Sequence, residues 1–351
     1  MKDWLIKQCA RLLPTPEKGD PKRFLIVSTT GLGDTLWATP AIASLKESVA
    51  GAFVAVLTSP IGQEALQGNP SIDQIHVLQE PLLSRFVRLR RALVRGGYGT
   101  VLVFHASQRL TCPLVATIGA SQIIGVHGHQ KGQEPFLTHE LADVPRHEIA
   151  RRLAIVKAAG GQALHHELAY YGKGRPFLPA GDWIALHPGS KDGFKRWPQG
   201  HFIALGKRLQ RALGCDIAIT GGPGEERLMH EIASAIDGAI VVPSHLSLAD
   251  FAATLRQTRL FVCNDTGPMH LACAIQHPVV GLYAATDPTL CGPYQAKSAL
   301  LVQGRPSCTP CLRKKCRMPF CMMQIGVDEV FKKIVEWNRC KHSAAETSSR
   351  S

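Results

Sequence analysis

Residues 24–49 read FLIVSTTGLGDTLWATPAIASLKESV. Phe24–Ser28 is a run of β-forming, mostly apolar side chains and predicts a strand. Thr29–Asp34 turns on Gly31 and Gly33, and Thr35–Val49 carries apolar residues at helical spacing. Strand, glycine turn and helix in that order open a βαβ unit, which needs a parallel sheet.

The alternation continues outward from this stretch. Phe53–Leu57, Ile75–Leu78, Val101–Phe104 and Gln122–Val126 are predicted strands. Leu82–Arg95, Arg109–Ile118 and His147–Ala159 are predicted helices. The segment YGKGRPFLPAGD, Tyr171–Asp182, then breaks the pattern with glycine and proline and reads as a linker. After it the pattern restarts. Strands are predicted at Trp183–Leu186, Asp216–Thr220, Ala239–Val242, Leu260–Cys263 and Val279–Tyr283. Helices are predicted at Pro198–Leu213, Gly224–Ile236, Leu248–Gln257 and Pro268–Ile275. The class is therefore α/β, with an extension at 1–20, a Rossmann-like domain at 21–170, the linker at 171–182 and a second Rossmann-like domain at 183–340. Residues 341–351 are expected to be a disordered tail, Ala344–Ser351 being polar throughout apart from its alanines. Two parallel-sheet domains lead us to expect a ligand in the cleft between them, at the carboxyl ends of the strands.

Composition narrows the function classes. Of the 351 residues 45% are hydrophobic and 19% charged, which is ordinary for a globular protein and excludes bulk disorder. Apolar runs fall well short of the roughly 18 residues that span a bilayer. Met1–Pro14 lacks the cleavage site of a secretory signal, so a cytoplasmic location is expected. Met1–Leu13 can form a short amphipathic helix, lying on a membrane face or packed on the body. The formal charge of +13 fits an anionic partner (nucleic acid, membrane surface, phosphorylated or carboxylated substrate) or simply a solvated basic surface. Eleven cysteines in such a compartment argue against a disulfide framework, and Cys215, Cys263 and Cys273 read as small buried hydrophobes.

The polar loops after the strands carry the candidate chemistry. In the first, a dinucleotide fingerprint would need a glycine where Leu36 stands, and no Walker lysine follows. Asp34 is left at the mouth of the strand, as a general base or as a helix N-cap, and local pattern alone favours the cap. In the second domain His187-Pro188-Gly189-Ser190 leads to Lys195-Arg196, adjacent cations suited to a diphosphate. Thr220–Glu225 is glycine-rich, with Glu225 suited to a ribose or to an acidic first helical turn. Asn264–His270 places Asp265 and Thr266 at a helix start, where free amides favour phosphate. Three such loops at strand ends of one domain describe a site for a phosphorylated ligand.

These loops resemble glycosyltransferase family 9, the ADP-heptose:lipopolysaccharide heptosyltransferases. The resemblance runs from about Phe24 to Trp337 and rests on STTGLGDTLWATPAIASLK (28–46), ALHPGSKDGFKRWPQGHF (185–202), ITGGPGEE (219–226) and CNDTGPMHLACAIQHPVVGLY (263–283). It implies the GT-B arrangement and inverting transfer of heptose from ADP-L-glycero-D-manno-heptose to the inner core of lipopolysaccharide. It implies Asp34 as the base and Lys195 as the group that stabilises the departing diphosphate. Gly33, Ser190, Glu225, Asp265, Thr266, Gly267 and His270 would hold the donor, with Glu225 chosen over its neighbour Glu226. No Asp-x-Asp motif occurs, which fits catalysis without a metal cofactor. The partners implied are an ADP-sugar and an anionic lipid-linked saccharide, met by a peripheral protein on the cytoplasmic face of the inner membrane. Arg85, Arg88, Arg90, Arg91 and Arg95 form a basic cluster that suits such an acceptor or the membrane surface, or else a solvated helix face.

Cys308, Cys311, Cys316 and Cys321 have the compact spacing of a structural zinc site, or else are reduced thiols in a turn-rich segment. With Arg313, Lys314, Lys315 and Arg317 beside them they raise a rival reading, a zinc-containing nucleic-acid-binding protein. That rival leaves the ordered loops unexplained, and no nucleic-acid partner is expected. The same motifs would also suit a sugar-nucleotide-binding protein that has lost catalysis, or a transferase that uses another nucleotide sugar or a protein acceptor.

Overall fold

The computed structural model describes residues 17–79, 82–106, 108–130, 132–305, 316 and 320–348. The chain divides into two compact units, Met1–Gly172 and Lys173–Ser351, the break falling inside the glycine- and proline-rich Tyr171–Asp182 segment. The Met1–Leu13 segment lies outside the described residues.

The first unit runs β1 (Asp20–Ser28), α1 (Leu32–Leu36), α2 (Thr39–Ser48), β2 (Phe53–Thr58), α3 (Pro60–Leu66), β3 (Gln74–Val77), α4 (Leu82–Arg95), β4 (Tyr98–His105), α5 (Thr111–Val115), β5 (Gln122–Val126), β6 (His139–Leu141) and α6 (Glu148–Ala158). Its six strands lie in the order β3-β2-β1-β4-β5-β6, and every pairing is parallel. Both faces of β1 are buried, since Leu25 and Val27 point one way and Phe24 and Ile26 the other. That continuous apolar run is what a sheet covered by helices on both sides demands.

The second unit runs β7 (Trp183–His187), α7 (Gln199–Leu213), β8 (Asp216–Ile219), α8 (Glu226–Ala233), β9 (Ile240–Val241), α9 (Leu248–Arg256), β10 (Thr258–Asn264), α10 (Gly267–Ala274), β11 (Val279–Tyr283), α11 (Pro288–Cys291), β12 (Ala299–Gln303), α12 (Phe320–Met323) and α13 (Val327–Ser348). Its sheet, β12-β11-β10-β7-β8-β9, is also parallel throughout. Counted from its own first strand, this is the strand order of the first unit. Each sheet therefore reverses direction once, between β1 and β4 and between β7 and β10. Such a reversal opens a crevice at the carboxyl ends of the two central strands, the usual ligand position in doubly wound sheets.

Several elements differ from expectation for local reasons. The helix predicted over Thr35–Val49 is two helices, because Pro40 has no N–H to continue the first and starts the second instead. Thr39 closes the break by donating its hydroxyl to Leu36 O at 2.8 Å. The last helix runs to Ser348, where the polar composition predicts a disordered tail. Ala344, Ala345 and Glu346 are good helix formers, and no glycine or proline interrupts them. Among the described residues no helix is long and apolar enough to cross a membrane.

Candidate active site

In the second unit the crevice is organised by Asn264, fully buried at the end of β10. Its amide nitrogen donates to Pro188 O at 2.9 Å and to Gly189 O at 3.1 Å, and its oxygen accepts the Trp197 amide at 3.0 Å. One side chain thus ties the loop after β7 to the end of β10. Arg196 continues the cradle. It donates to Ser190 O at 2.9 Å and to the Glu225 carboxylate at 3.0 Å, whose other oxygen accepts the Gly222 amide at 2.9 Å. A Cβ at Gly189 would stand 1.8 Å from Glu225 Oε2 and would push that carboxylate out of the cradle. Glu226 points elsewhere, to the Ser244 hydroxyl at 2.6 Å.

Beside this cradle Lys195 Nζ donates to Asp265 Oδ2 at 2.7 Å, and the Thr286 hydroxyl donates to the same oxygen at 2.6 Å. The lysine side chain is 20% exposed and the aspartate 7%. Burial works against both charges, but each partner outweighs it. Lys195 is held above its ordinary pKa, and Asp265, with the help of Thr286, below its own. The result is a fixed ammonium at the mouth of the crevice, with donors to spare for an incoming anion. Thr266 is the N-cap residue of α10 and makes no side-chain cap bond, and Gly267 opens the helix. His270 lies one turn in and is buried. A helix dipole and an oriented cation converge there, which suits a diphosphate.

His187 ends β7 and faces Thr220 Oγ1 at 3.0 Å. Burial pushes its pKa down to about 4, with Glu225 raising it and Arg196 lowering it to a smaller extent. The imidazole is neutral at physiological pH and serves the packing between β7 and β8.

Gly33 and Asp34 belong to the first unit. The turn that presents them is pinned from β2, since Thr58 Oγ1 donates to Ser28 O at 2.8 Å and Ser59 Oγ to Thr30 O at 2.7 Å. Gly31, with extended backbone, is the N-cap residue of α1, so the capping role that local pattern favours for Asp34 is not the one it has. Asp34 stands in the first helical turn, 31% exposed, with Arg152 Nη2 3.9 Å from its Oδ1. A partly exposed carboxylate at a strand-end crevice suits a base.

Asn264, Thr286, Glu148 and Arg152 were not legible as site residues from the chain alone. Asn264 carried a signal, a polar residue ending an otherwise apolar strand. The others reach their partners through the fold, and nothing in their local sequence marks them. Of the cysteine cluster, Cys308 and Cys311 lie outside the described residues; Cys316 and Cys321 lie within them. Among the described residues no group of three or more metal-ligating side chains occurs.

Comparison with known proteins agrees with this fold. The chain is 24% identical over 315 residues to lipopolysaccharide heptosyltransferase 1 of Pseudomonas aeruginosa, covering 84% of this chain and 87% of that protein. It is 25% identical over 291 residues to lipopolysaccharide heptosyltransferase 3 of Escherichia coli, covering 73% and 81%. Among solved structures, E. coli ADP-heptose LPS heptosyltransferase II superposes with a TM-score of 0.74 at 16% identity, over 91% of this chain and 99% of that one. E. coli heptosyltransferase WaaC with ADP-2-deoxy-2-fluoro heptose gives 0.71 at 20% identity, over 90% and 99%. At these identities the structures establish the fold, the pair of Rossmann-like units of the GT-B class. Residues 86–321 match glycosyltransferase family 9 (heptosyltransferase), which is most of the chain. This protein, with its two doubly wound units and its cation at a helix start, belongs to glycosyltransferase family 9.

Proposed function

We propose that this enzyme transfers heptose from ADP-L-glycero-D-manno-heptose to the inner core of lipopolysaccharide, with inversion and without a catalytic metal. The observation that carries the reading is the Lys195–Asp265 pair at the start of α10. The carboxylate orients the Lys195 ammonium, whose remaining N–H donors can meet the negative charge a diphosphate leaving group gathers. In the reaction the acceptor hydroxyl gives its proton to Asp34 and its oxygen bonds to the anomeric carbon. The bond from that carbon to the diphosphate breaks, and its electron pair goes to the diphosphate oxygen. Lys195 and the dipole of α10 meet that charge, while Ser190, Glu225, Asp265, Thr266, Gly267 and His270 hold the nucleotide sugar. Glu225 is bonded through both its oxygens here, and donor binding draws on the same carboxylate. Relatives of similar length that act on lipopolysaccharide support the acceptor.

The acceptor is anionic, and α4 offers it Arg85, Arg88, Arg91 and Arg95, all exposed, on a helix without an acidic residue. We propose that the enzyme is a peripheral protein on the cytoplasmic face of the inner membrane, held there by this basic face. The four thiols of Cys308–Cys321 are suited to one structural metal ion, zinc foremost. Metal analysis of the purified protein should find about one ion per chain and none in Cys308→Ser; a metal-free wild-type protein contradicts the site.

Calorimetry with ADP, UDP, GDP and single-stranded RNA tests the donor. Selective ADP binding, abolished by Asp265→Ala, is the expected result. Preference for UDP or GDP discards heptose and keeps the glycosyltransferase, whereas tight RNA binding without nucleotide selectivity revives the nucleic-acid reading.

A further inference from the structure

Arg152 is among the largest fully buried side chains of the protein, and its contacts reach the partly exposed acid of the first crevice. It sits on the first turns of α6, its side chain 1% exposed. Nη1 donates to Glu148 O at 2.8 Å and to Glu148 Oε2 at 2.5 Å. Nη2 turns the other way. It donates to Asp34 O at 3.4 Å and stands 3.9 Å from Asp34 Oδ1. The Trp37 ring lies 5.6 Å from the guanidinium carbon, so the α1–α2 break also packs against it.

The charges around it are matched. Glu148 uses its second oxygen, Oε1, for Arg151 at 2.6 Å. Burial would raise the Glu148 pKa, but the two arginines outweigh burial and hold it below the usual carboxylate range. His129, beside Arg151, is pushed down by burial and by that arginine, so it adds no positive charge at neutral pH. Glu148 thus receives both arginines, Arg151 on Oε1 and Arg152 on Oε2, and Arg152 still turns its Nη2 toward Asp34, which has this one ion-pair partner among the described residues. A buried ion pair of this kind is a poor way to stabilise a fold, because apolar side chains of the same volume do as well or better. An arginine serving only α6 would be satisfied by Glu148. This one spends its other edge on the turn that carries Asp34.

We propose that Arg152, oriented by Glu148, is a positioning residue for Asp34: it anchors the α1 turn and presents a fixed positive charge to the carboxylate. The inference rests on the reading of Asp34 as the base. Arg152 is the strut between helix α6 and that base, and its planar fork is needed because one group must serve two acids. Lysine keeps the charge but has no fork to bridge them.

Steady-state kinetics with ADP-heptose and a heptose-free lipopolysaccharide acceptor tests this, together with ADP calorimetry and thermal unfolding. Asp34→Asn comes first and should lower kcat by roughly 10²–10⁴-fold. Arg152→Met should lower kcat on the order of 10²-fold with ADP affinity unchanged, since misplacement of a reacting group by about 1 Å costs that much. Arg152→Lys should recover part of the loss, and it carries the test alone if the methionine variant does not fold. Placed in the Asp34→Asn background, Arg152→Lys should lower the residual turnover no further. If Asp34→Asn keeps turnover, the base reading fails and the strut has nothing to position. If Asp34→Asn is impaired but Arg152→Lys has wild-type kcat, or lowers the residual turnover of the double variant by its own full factor, the positioning role is overturned.

Discussion

Lys195 and Asp265 define each other. The lysine is oriented by the carboxylate, and the carboxylate, 7% exposed, tolerates burial only because the ammonium and Thr286 meet it. Lys195→Ala should therefore do two things. It should weaken donor binding and turnover together, and it should leave a buried carboxylate without its cation at a stability cost on the order of 3 kcal/mol. Lys195→Met with Asp265→Asn removes both charges, so it should regain most of the stability and none of the turnover. Kinetics and thermal unfolding of the two variants separate these effects, and wild-type kinetics in Lys195→Ala would remove the lysine from the site. At this scale the loops themselves were legible: residue type and position after a strand marked them, and the family resemblance singled out Ser190, Lys195, Glu225 and Asp265 within them. What the chain could not show was pairing. That Lys195 faces Asp265, that Arg196 rather than Lys195 faces Glu225, and that Arg152 reaches Asp34 depend on separations of 70, 29 and 118 residues.

At the scale of elements, the strand ends place the chemistry, and their own polar residues carry a pH dependence. His187 is buried at the end of β7, and its pKa is pushed down to about 4 from an ordinary 6.5. The unfolded chain takes up this proton near the ordinary value, the folded chain only near the lower one. Between them the unfolded state binds more protons, so stability falls as pH drops. Asp265 and Glu148, both held low, add losses in the same direction at more acid pH. Denaturant unfolding should show up to about 2 kcal/mol less stability at pH 5 than at pH 7 from His187. His187→Gln should remove most of that difference; an undiminished difference would assign the acid sensitivity to other groups. Strand and helix periodicity revealed the central strands of both sheets, because each is a short apolar run buried on both faces. It did not reveal β6, whose His139-Glu140-Leu141 has no apolar run to read, nor the break before Pro40 inside an otherwise helical pattern. The first depends on neighbours in space; the second is a local effect of Pro40, which hydrophobic periodicity does not register.

At the scale of the whole molecule, the chain repeats one strand order in two units and equips the two switch points differently. The first carries a carboxylate backed by a buried arginine. The second carries a cation, a helix start and a glycine-lined cradle. On the proposed function, the first would take up a proton and the second the charge of a diphosphate. The fold class could be read from alternation along the chain, since each βαβ unit announces itself locally. The repeated strand order could not, because order in a parallel sheet is set by crossovers between elements far apart in sequence. The basic surface behind the +13 charge is consistent with an anionic acceptor, and α4 concentrates part of it on one exposed face. Heptose transfer is tested by incubating the purified protein with ADP-heptose and heptose-free lipopolysaccharide and following the acceptor by mass spectrometry. One heptose should be added with release of ADP, and the addition should be lost in Asp34→Asn. An unchanged acceptor with ADP-heptose, alongside transfer from a different nucleotide sugar, would contradict heptose transfer.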